Sequence, residues 1–148
     1  MKKVIIVIAV FIAGIVQAQI LEPVKWATST NKISDTEYEL VATATINKGW
    51  HLYSQTVPED GPIPTTFAYQ SNPNYLKKGN TLEEKGHVVN DPIFEMEIKF
   101  FDTKATFKQR IKLKTKETFK VNASVEFMVC DDTRCLLPNE VDLVFNIN

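Results

Sequence analysis

Apolar side chains recur at every second residue along much of this chain, and that period decides what it can fold into. Tyr38, Leu40, Ala42, Ala44 and Ile46 share one face, with Glu37, Glu39, Thr43 and Thr45 on the other. Phe94, Met96, Ile98 and Phe100 alternate with Glu95, Glu97 and Lys99, and Ala105, Phe107, Ile111 and Leu113 oppose Lys108, Arg110, Lys112 and Lys114. The last pair is the clearest. Phe119, Val121, Ala123, Val125, Phe127 and Val129 point one way, and Val141, Leu143, Phe145 and Ile147 repeat the pattern. Successive side chains of a strand point to opposite faces, so this period gives a sheet one apolar and one polar face. A helix needs a period of 3.6, and no window of helical length carries it.

Shorter extended runs are expected at residues 22–29, 50–53 and 65–70, with a turn at Asn47-Lys48-Gly49 and a proline-rich loop from Val57 to Pro64. Ser71 to Asn90 is polar and turn-rich and reads as an irregular excursion with one weak strand. About seven or eight short strands, turning every 8–15 residues or so, predict an all-β fold, an antiparallel β-sandwich of immunoglobulin type.

Residues 1–18 read as a cleaved signal peptide, leaving one domain over residues 19–148. Lys2 and Lys3 precede the apolar run Val4–Val16, and Val16-Gln17-Ala18 offers a cut before Gln19. The run falls short of the ~20 residues of a spanning helix, so no membrane span is expected to be retained. A lipoprotein signal would place a cysteine at the cut, and none is there. Without Lys2 and Lys3, 15 basic residues face 18 acids, a net charge of −3. That balance gives no electrostatic footprint for nucleic acid or an anionic membrane. Export places the chain in an oxidising compartment, the periplasm, where disulfides persist.

The only two cysteines, Cys130 and Cys135, stand at the rims of the four-residue connection Asp131-Asp132-Thr133-Arg134. A loop of that length suits a hairpin. Opposed residues of an antiparallel pair lie about 4.5–5.5 Å apart at Cα, within disulfide reach. The parity puts Cys130 in phase with Met128, Glu126 and Ser124, on the face away from the core stripe, so the bond is expected at an exposed tip. Two readings stay open. One is a structural staple. The other is a site of thiol–disulfide exchange: a ring this small is worth only about 2 kcal/mol to folding, so a staple there is hardly needed, although on the residues alone the staple still ranks first. Arg134 beside Cys135 favours its thiolate, whereas Asp131 and Asp132 disfavour that of Cys130. Cys135 is therefore the expected nucleophile and Cys130 the resolving sulfur.

Gly49-Trp50-His51-Leu52-Tyr53, the Asp91-Pro92-Ile93-Phe94 strand entry and the run from Val125 to Val141, with its Cys-Leu-Leu-Pro ending, resemble the N-terminal periplasmic domain of the disulfide reductase DsbD. The resemblance covers roughly Leu21 to Asn148 and implies an immunoglobulin-like sandwich whose cysteine pair passes electrons. It implies a membrane-embedded conduit and thioredoxin-like proteins as partners, with periplasmic disulfide oxidoreductases as acceptors, and hence a possible protein-disulfide reductase component. The family's redox cysteines map to Cys130 and Cys135, the second forming mixed disulfides, and its neighbouring aromatic pair maps to His51 and Tyr53. The chain departs from the family in having four rather than five residues between the cysteines. The family's acidic-aromatic cap would fall near Lys85 to Val88, where this chain reads Lys-Gly-His-Val. Because the sequence closes at Asn148, donor and acceptor are expected to be separate proteins.

His51 and His87 lack finger-like spacing relative to the cysteines, so neither metal nor cofactor is expected. The basic row from Lys108 to Lys114 is expected to pair with Glu95 and Glu97 across a strand boundary. Tyr53 alone would read as a sandwich-edge aromatic. The overall expectation is a monomeric exchange module acting through Cys130 and Cys135, flanked by His51, Tyr53, Asp131 and Arg134. The alternative is a non-enzymatic envelope binding module whose hairpin disulfide is purely structural.

Overall fold

The computed structural model describes residues 21–148, and the predicted signal segment and its cut lie outside them. Among the described residues all regular structure is strand. The order is β1 (Val24–Lys32), β2 (Glu37–Ile46), β3 (His51–Tyr53), β4 (Thr66–Tyr69), β5 (Tyr75–Glu83), β6 (His87–Asp91), β7 (Met96–Phe101), β8 (Lys104–Leu113), β9 (Phe119–Phe127), β10 (Val129–Cys130) and β11 (Asn139–Ile147). No helix among these residues is long and apolar enough to cross a membrane.

Every pairing is antiparallel. Three sheets form, ordered β1-β2-β8-β5, β10-β3-β7-β6 and β11-β9-β4. The main core draws Leu40, Ala44, Phe107 and Ile111 from the first sheet, Leu52, Phe101 and Val129 from the second, and Val121, Val125 and Phe145 from the third. The result is an immunoglobulin-like β-sandwich built on the stripes that alternate in the sequence. Gly49, at φ +86°, closes the turn into β3, a backbone region that glycine adopts without steric cost.

Four expectations need correction. Residues 71–90 are not an irregular excursion, because β5 and β6 lie there. Both strands are sheet edges and mostly exposed, so backbone pairing rather than an apolar stripe defines them. Eleven strands replace the expected seven or eight, partly because β10 splits from β9. The basic row on β8 does not meet Glu95 and Glu97. Lys108 pairs with Glu39 at 3.2 Å and Arg110 with Glu37 at 3.7 Å, since β2 is the neighbour on that face. Finally, Phe94 lies in the β6–β7 turn, and Ile98 and Phe100 leave the main core for a second cluster.

One position on the apolar face of β8 is polar. Gln109 is fully buried and donates from Nε2 to the carbonyls of Lys78 (3.1 Å), Gly79 (3.3 Å) and Arg110 (2.8 Å), while its Oε1 accepts from Thr81 Oγ1 at 2.9 Å. These bonds fasten the irregular stretch of β5 between Lys78 and Leu82, whose backbone groups the ladder leaves unpaired.

Candidate functional site

The cysteine pair stands where the chain changes sheets. β9 pairs with β11 up to Phe127↔Asn139; beyond Met128 the chain pairs with β3 instead, Val129 opposite Leu52 and Cys130 opposite His51. The connection between the long strands therefore runs from residue 128 to residue 138, and the cysteine loop is a smaller hairpin within it. Cys130 and Cys135 face each other as an antiparallel bridge, are joined by a disulfide and lie 3.9 Å apart at Cα. The Asp131 amide donates to the Arg134 carbonyl at 2.9 Å and the Leu136 amide to the Val129 carbonyl at 2.9 Å, closing the loop above and below the bond.

Cys130 takes the face its parity predicts but not the exposure. Val129 enters the main core, and Cys130 points to the opposite side of its sheet. That side is not open. Tyr53, Ile98, Phe100 and Cys130 form a second buried cluster, with Val57, Phe94, Met96, Met128 and Cys135 packed against it. Cys130 is 0 % exposed. Cys135 is half-buried, and Asp132, Thr133 and Arg134 are exposed. Of the two cysteines, only Cys135 thus keeps some exposure to solvent.

The second cluster rests on a buried carboxylate. Asp91 is 2 % exposed and ends β6. Its Oδ1 accepts the amides of Ile93 (2.8 Å) and Phe94 (3.2 Å), and its Oδ2 accepts the Tyr53 hydroxyl at 2.8 Å. One side chain thereby fixes the β6–β7 turn and orients the tyrosine beneath it. Burial first, then the bond to Asp91, pushes the Tyr53 phenol far above its usual range. Phe94 meets the Tyr53 ring edge-on with centroids 6.0 Å apart. A Cβ at Gly86 would stand 2.6 Å from the Phe100 carbonyl oxygen, so only glycine lets the β5–β6 connection lie this close to β7.

His51 stacks on Phe100 with centroids 4.3 Å apart, and His87 approaches the same ring at 6.2 Å. Both histidines thus belong to the aromatic surface beside Cys130. Residues 85–88, where the resemblance would place a cap, form the end of a connection and the exposed start of β6. Phe94 and Met96, from the β6–β7 turn and the start of β7, are among the side chains packed against the cysteine cluster instead.

Asp131 does more than set local charge. Its Oδ1 accepts the Thr133 amide, the Thr133 hydroxyl and the Arg134 amide, each at 2.8 Å. The Thr133 amide bond leads in holding this carboxyl well below its ordinary value, at about 2. Arg134 turns toward Asp131, Nε to Oδ2 3.4 Å, and lies over the Trp50 ring at 5.8 Å. Its cation is therefore shared with a carboxylate and an indole.

The structure places Cys130, Cys135, His51, Tyr53, Asp131 and Arg134 in one region. Sequence reasoning missed Asp91, Phe94, Met96, Ile98 and Phe100. The adjacent pair Phe100-Phe101 carried the missed signal, because neighbouring strand residues that are both large and apolar require two apolar faces. Among the described residues no group of three or more His, Cys, Asp or Glu side chains could hold a metal ion.

The family model described as "Thiol:disulfide interchange protein DsbD, N-terminal" matches residues 17–145. No curated protein is matched. Among solved structures, the N-terminal periplasmic domain of ScsB from Proteus mirabilis aligns with TM-score 0.52 and 12% identity, covering 84% of this chain and 44% of that one. This chain spans less than half of that relative's length. The reduced DsbD N-terminal domain of Neisseria meningitidis aligns with TM-score 0.49 and 11% identity, covering 82% of this chain and 85% of that one. At such identities the structural likeness speaks to the fold alone. On the family match over residues 17–145, the chain belongs to the family of the N-terminal domain of the thiol:disulfide interchange protein DsbD.

Proposed function

We propose that this chain is an exported, periplasmic thiol–disulfide exchange module that passes electrons between a membrane or thioredoxin-like donor and periplasmic oxidoreductases through Cys130 and Cys135. The observation that carries this reading is the asymmetry of the bond, with Cys130 sealed from solvent and Cys135 at the rim. Exchange proceeds by thiolate attack on one sulfur of a disulfide, and access decides which sulfur is attacked. A donor thiolate would attack Cys135 Sγ, breaking the Cys130–Cys135 bond and releasing Cys130 as a thiolate that takes up a proton. The donor's second thiolate would then attack its own sulfur in the mixed disulfide and release Cys135. In the reverse sense the Cys135 thiolate attacks an acceptor disulfide and Cys130 resolves it. The ring of six residues adds little to folding, about 2 kcal/mol in the loop-entropy account, which suits a bond that is meant to open.

Equilibration with a thioredoxin poised near −270 mV tests this directly. The exchange reading expects the pair to be substantially reduced, and a Cys130→Ala variant to accumulate mixed disulfides through Cys135. A pair that stays oxidised there would mark a staple, and with it the alternative of a non-enzymatic envelope binding module.

A further inference from the structure

The net charge of the chain hides an uneven distribution. Directly opposed residues of neighbouring strands project to the same side of a sheet, so the register of β1-β2-β8-β5 fixes what its outer face carries. Lys25 of β1, Lys104, Lys108, Arg110 and Lys112 of β8, and Lys78 of β5 all project there. Each of the six is exposed, so no described segment covers this face. Its carboxylates are Glu37 and Glu39 of β2, with Glu84 just beyond β5, where Oε1 accepts the Thr106 amide at 2.9 Å. Of the 15 cations and 18 carboxylates beyond Lys3, this face holds six and three, which leaves nine against fifteen elsewhere.

The sheet across the core carries the opposite sign. Phe67 of β4 and Phe127 of β9 meet Phe107 and Trp26 of the first sheet, so β11-β9-β4 turns its outer face to the far side of the sandwich. Glu126, Glu140 and Asp142 project from that face with Lys120, and Glu126 stands directly opposite Glu140. On the basic face Lys78 stands opposite Arg110 in the same way. Like charges so opposed destabilise a sheet. Folding alone would mix the signs, yet here they are sorted onto opposite faces.

Two large apolar side chains share the basic face. Leu76, 51 % exposed, lies opposite Lys112, and Leu82, 67 % exposed, lies opposite Lys108. Cations beside apolar side chains that the core does not use are the pattern of a surface that seats at a lipid interface. Lys78 and Arg110 share Glu37, and Lys108 pairs with Glu39. Lys25, Lys104 and Lys112 make no salt bridge among the described residues.

We propose that the outer face of β1-β2-β8-β5 docks on an anionic phospholipid bilayer, its cations at the headgroup phosphates and Leu76 and Leu82 in the interface. The opposed fields orient the chain, drawing the basic face down and turning the acidic face away, so a net charge of −3 does not prevent binding. Tyr53, Ile98, Phe100 and Cys130 belong to another sheet, so the disulfide stays open to a partner while the chain is docked. The proposal does not depend on the exchange reading, and either can fail without the other.

Cosedimentation with vesicles tests this on the chain as the cell exports and processes it. Vesicles of equal parts phosphatidylglycerol and phosphatidylcholine are compared with phosphatidylcholine alone. Three net positive charges beside the surface are expected to favour the anionic vesicles roughly 100-fold at about 50 mM salt, and the difference should vanish at about 0.5 M. Lys25→Gln, Lys104→Gln and Lys112→Gln together should abolish the preference. Lys48→Gln, Lys116→Gln and Lys120→Gln change the net charge equally but lie off this face, and should leave it within about threefold. Leu82→Ser should weaken binding to the anionic vesicles about fivefold. All these side chains but Lys48 and Lys116 stand on exposed strand positions, and urea midpoints check that each variant folds. Equal binding to both vesicles, no binding at low salt, or a loss shared by the two triple variants would overturn the proposal. Self-association at low salt without vesicles, abolished by the first triple variant, would seat the acidic face of a second copy there and overturn it as well.

Discussion

The Tyr53 hydroxyl donates a 2.8 Å hydrogen bond to Asp91 Oδ2, and both side chains are closed off from water. The carboxylate also holds the turn that carries Phe94. Tyr53→Phe removes one donor and leaves a buried acceptor short of a partner. A cost of about 1.5–3 kcal/mol is expected, the range for hydrogen bonds to charged groups. Urea unfolding of the oxidised protein measures it, and a loss below about 0.5 kcal/mol would mean that water reaches Asp91.

Phe94 and Met96 pack against the cluster that contains the disulfide. Phe94→Ala should therefore open a path to the bond. Reduction by dithiothreitol is expected to quicken by about an order of magnitude, set beside a stability loss of about 1–3 kcal/mol for a half-buried ring. The comparison is made at equal fraction folded. If the rate is unmoved, dithiol reaches the sulfurs from the Cys135 side alone.

Acid sensitivity follows from carboxylates whose affinity for protons falls on folding. Asp131 titrates at about 2 in the folded chain against 3.8 for an ordinary aspartate. The unfolded chain takes up the proton first, so the contribution of Asp131 is complete above about pH 3.8 and is lost as pH falls toward 2. Glu83 acts with the same sign. Burial raises its pKa, but the Gln55 amide, Lys99 and the Ser54 hydroxyl outweigh that and hold it below 4.5. Asp131→Asn is expected to lower the urea midpoint most at pH 7 and least near pH 2, which flattens the decline between about pH 4 and pH 2. An unchanged acid limb would show that the loop hydrogen bonds do not survive in solution.

Gln109→Leu keeps most of the volume and removes the four hydrogen bonds of the Gln109 side chain at the β5 irregularity, while the Gln55 side chain still donates to the Thr81 carbonyl. Three carbonyls lose this donor, and the Thr81 hydroxyl keeps only its 3.4 Å bond to the Tyr69 hydroxyl. The expected loss is about 2–4 kcal/mol, a few unsatisfied groups at about 1 kcal/mol or more each. Hydrogen exchange of the Lys78–Leu82 amides should rise together with it. Global destabilisation without local exchange would place the effect in core packing.

The sandwich was legible because its core strands alternate. Tyr38 through Ile46 and Val121 through Val129 are buried at the predicted positions, since a one-residue slip would turn each stripe to water. The edges were not legible. β5 buries little on either face, so it leaves no periodic trace in the sequence. The joining of the two cysteines followed from their spacing. What covers them did not, because Phe94, Met96, Ile98 and Phe100 have the parity of an ordinary core stripe, and period two does not say which layer a face will meet. Asp91 was read as part of a strand entry, since nothing local marks a carboxylate that will be enclosed by a tyrosine 38 residues away.

Met128 works as a ruler. Phe127 is the last residue counted by one sheet and Val129 the first counted by another, so a single inserted or deleted residue there would rotate Cys130 out of its seat and put Val129 or Asp131 in it. The turn at 131–134 is under no such restriction, because it projects beyond both ladders and answers only to the closing bonds at its base. Spacing between the sulfurs can therefore drift by a residue from one relative to another, whereas the count leading up to the first sulfur is fixed by the architecture.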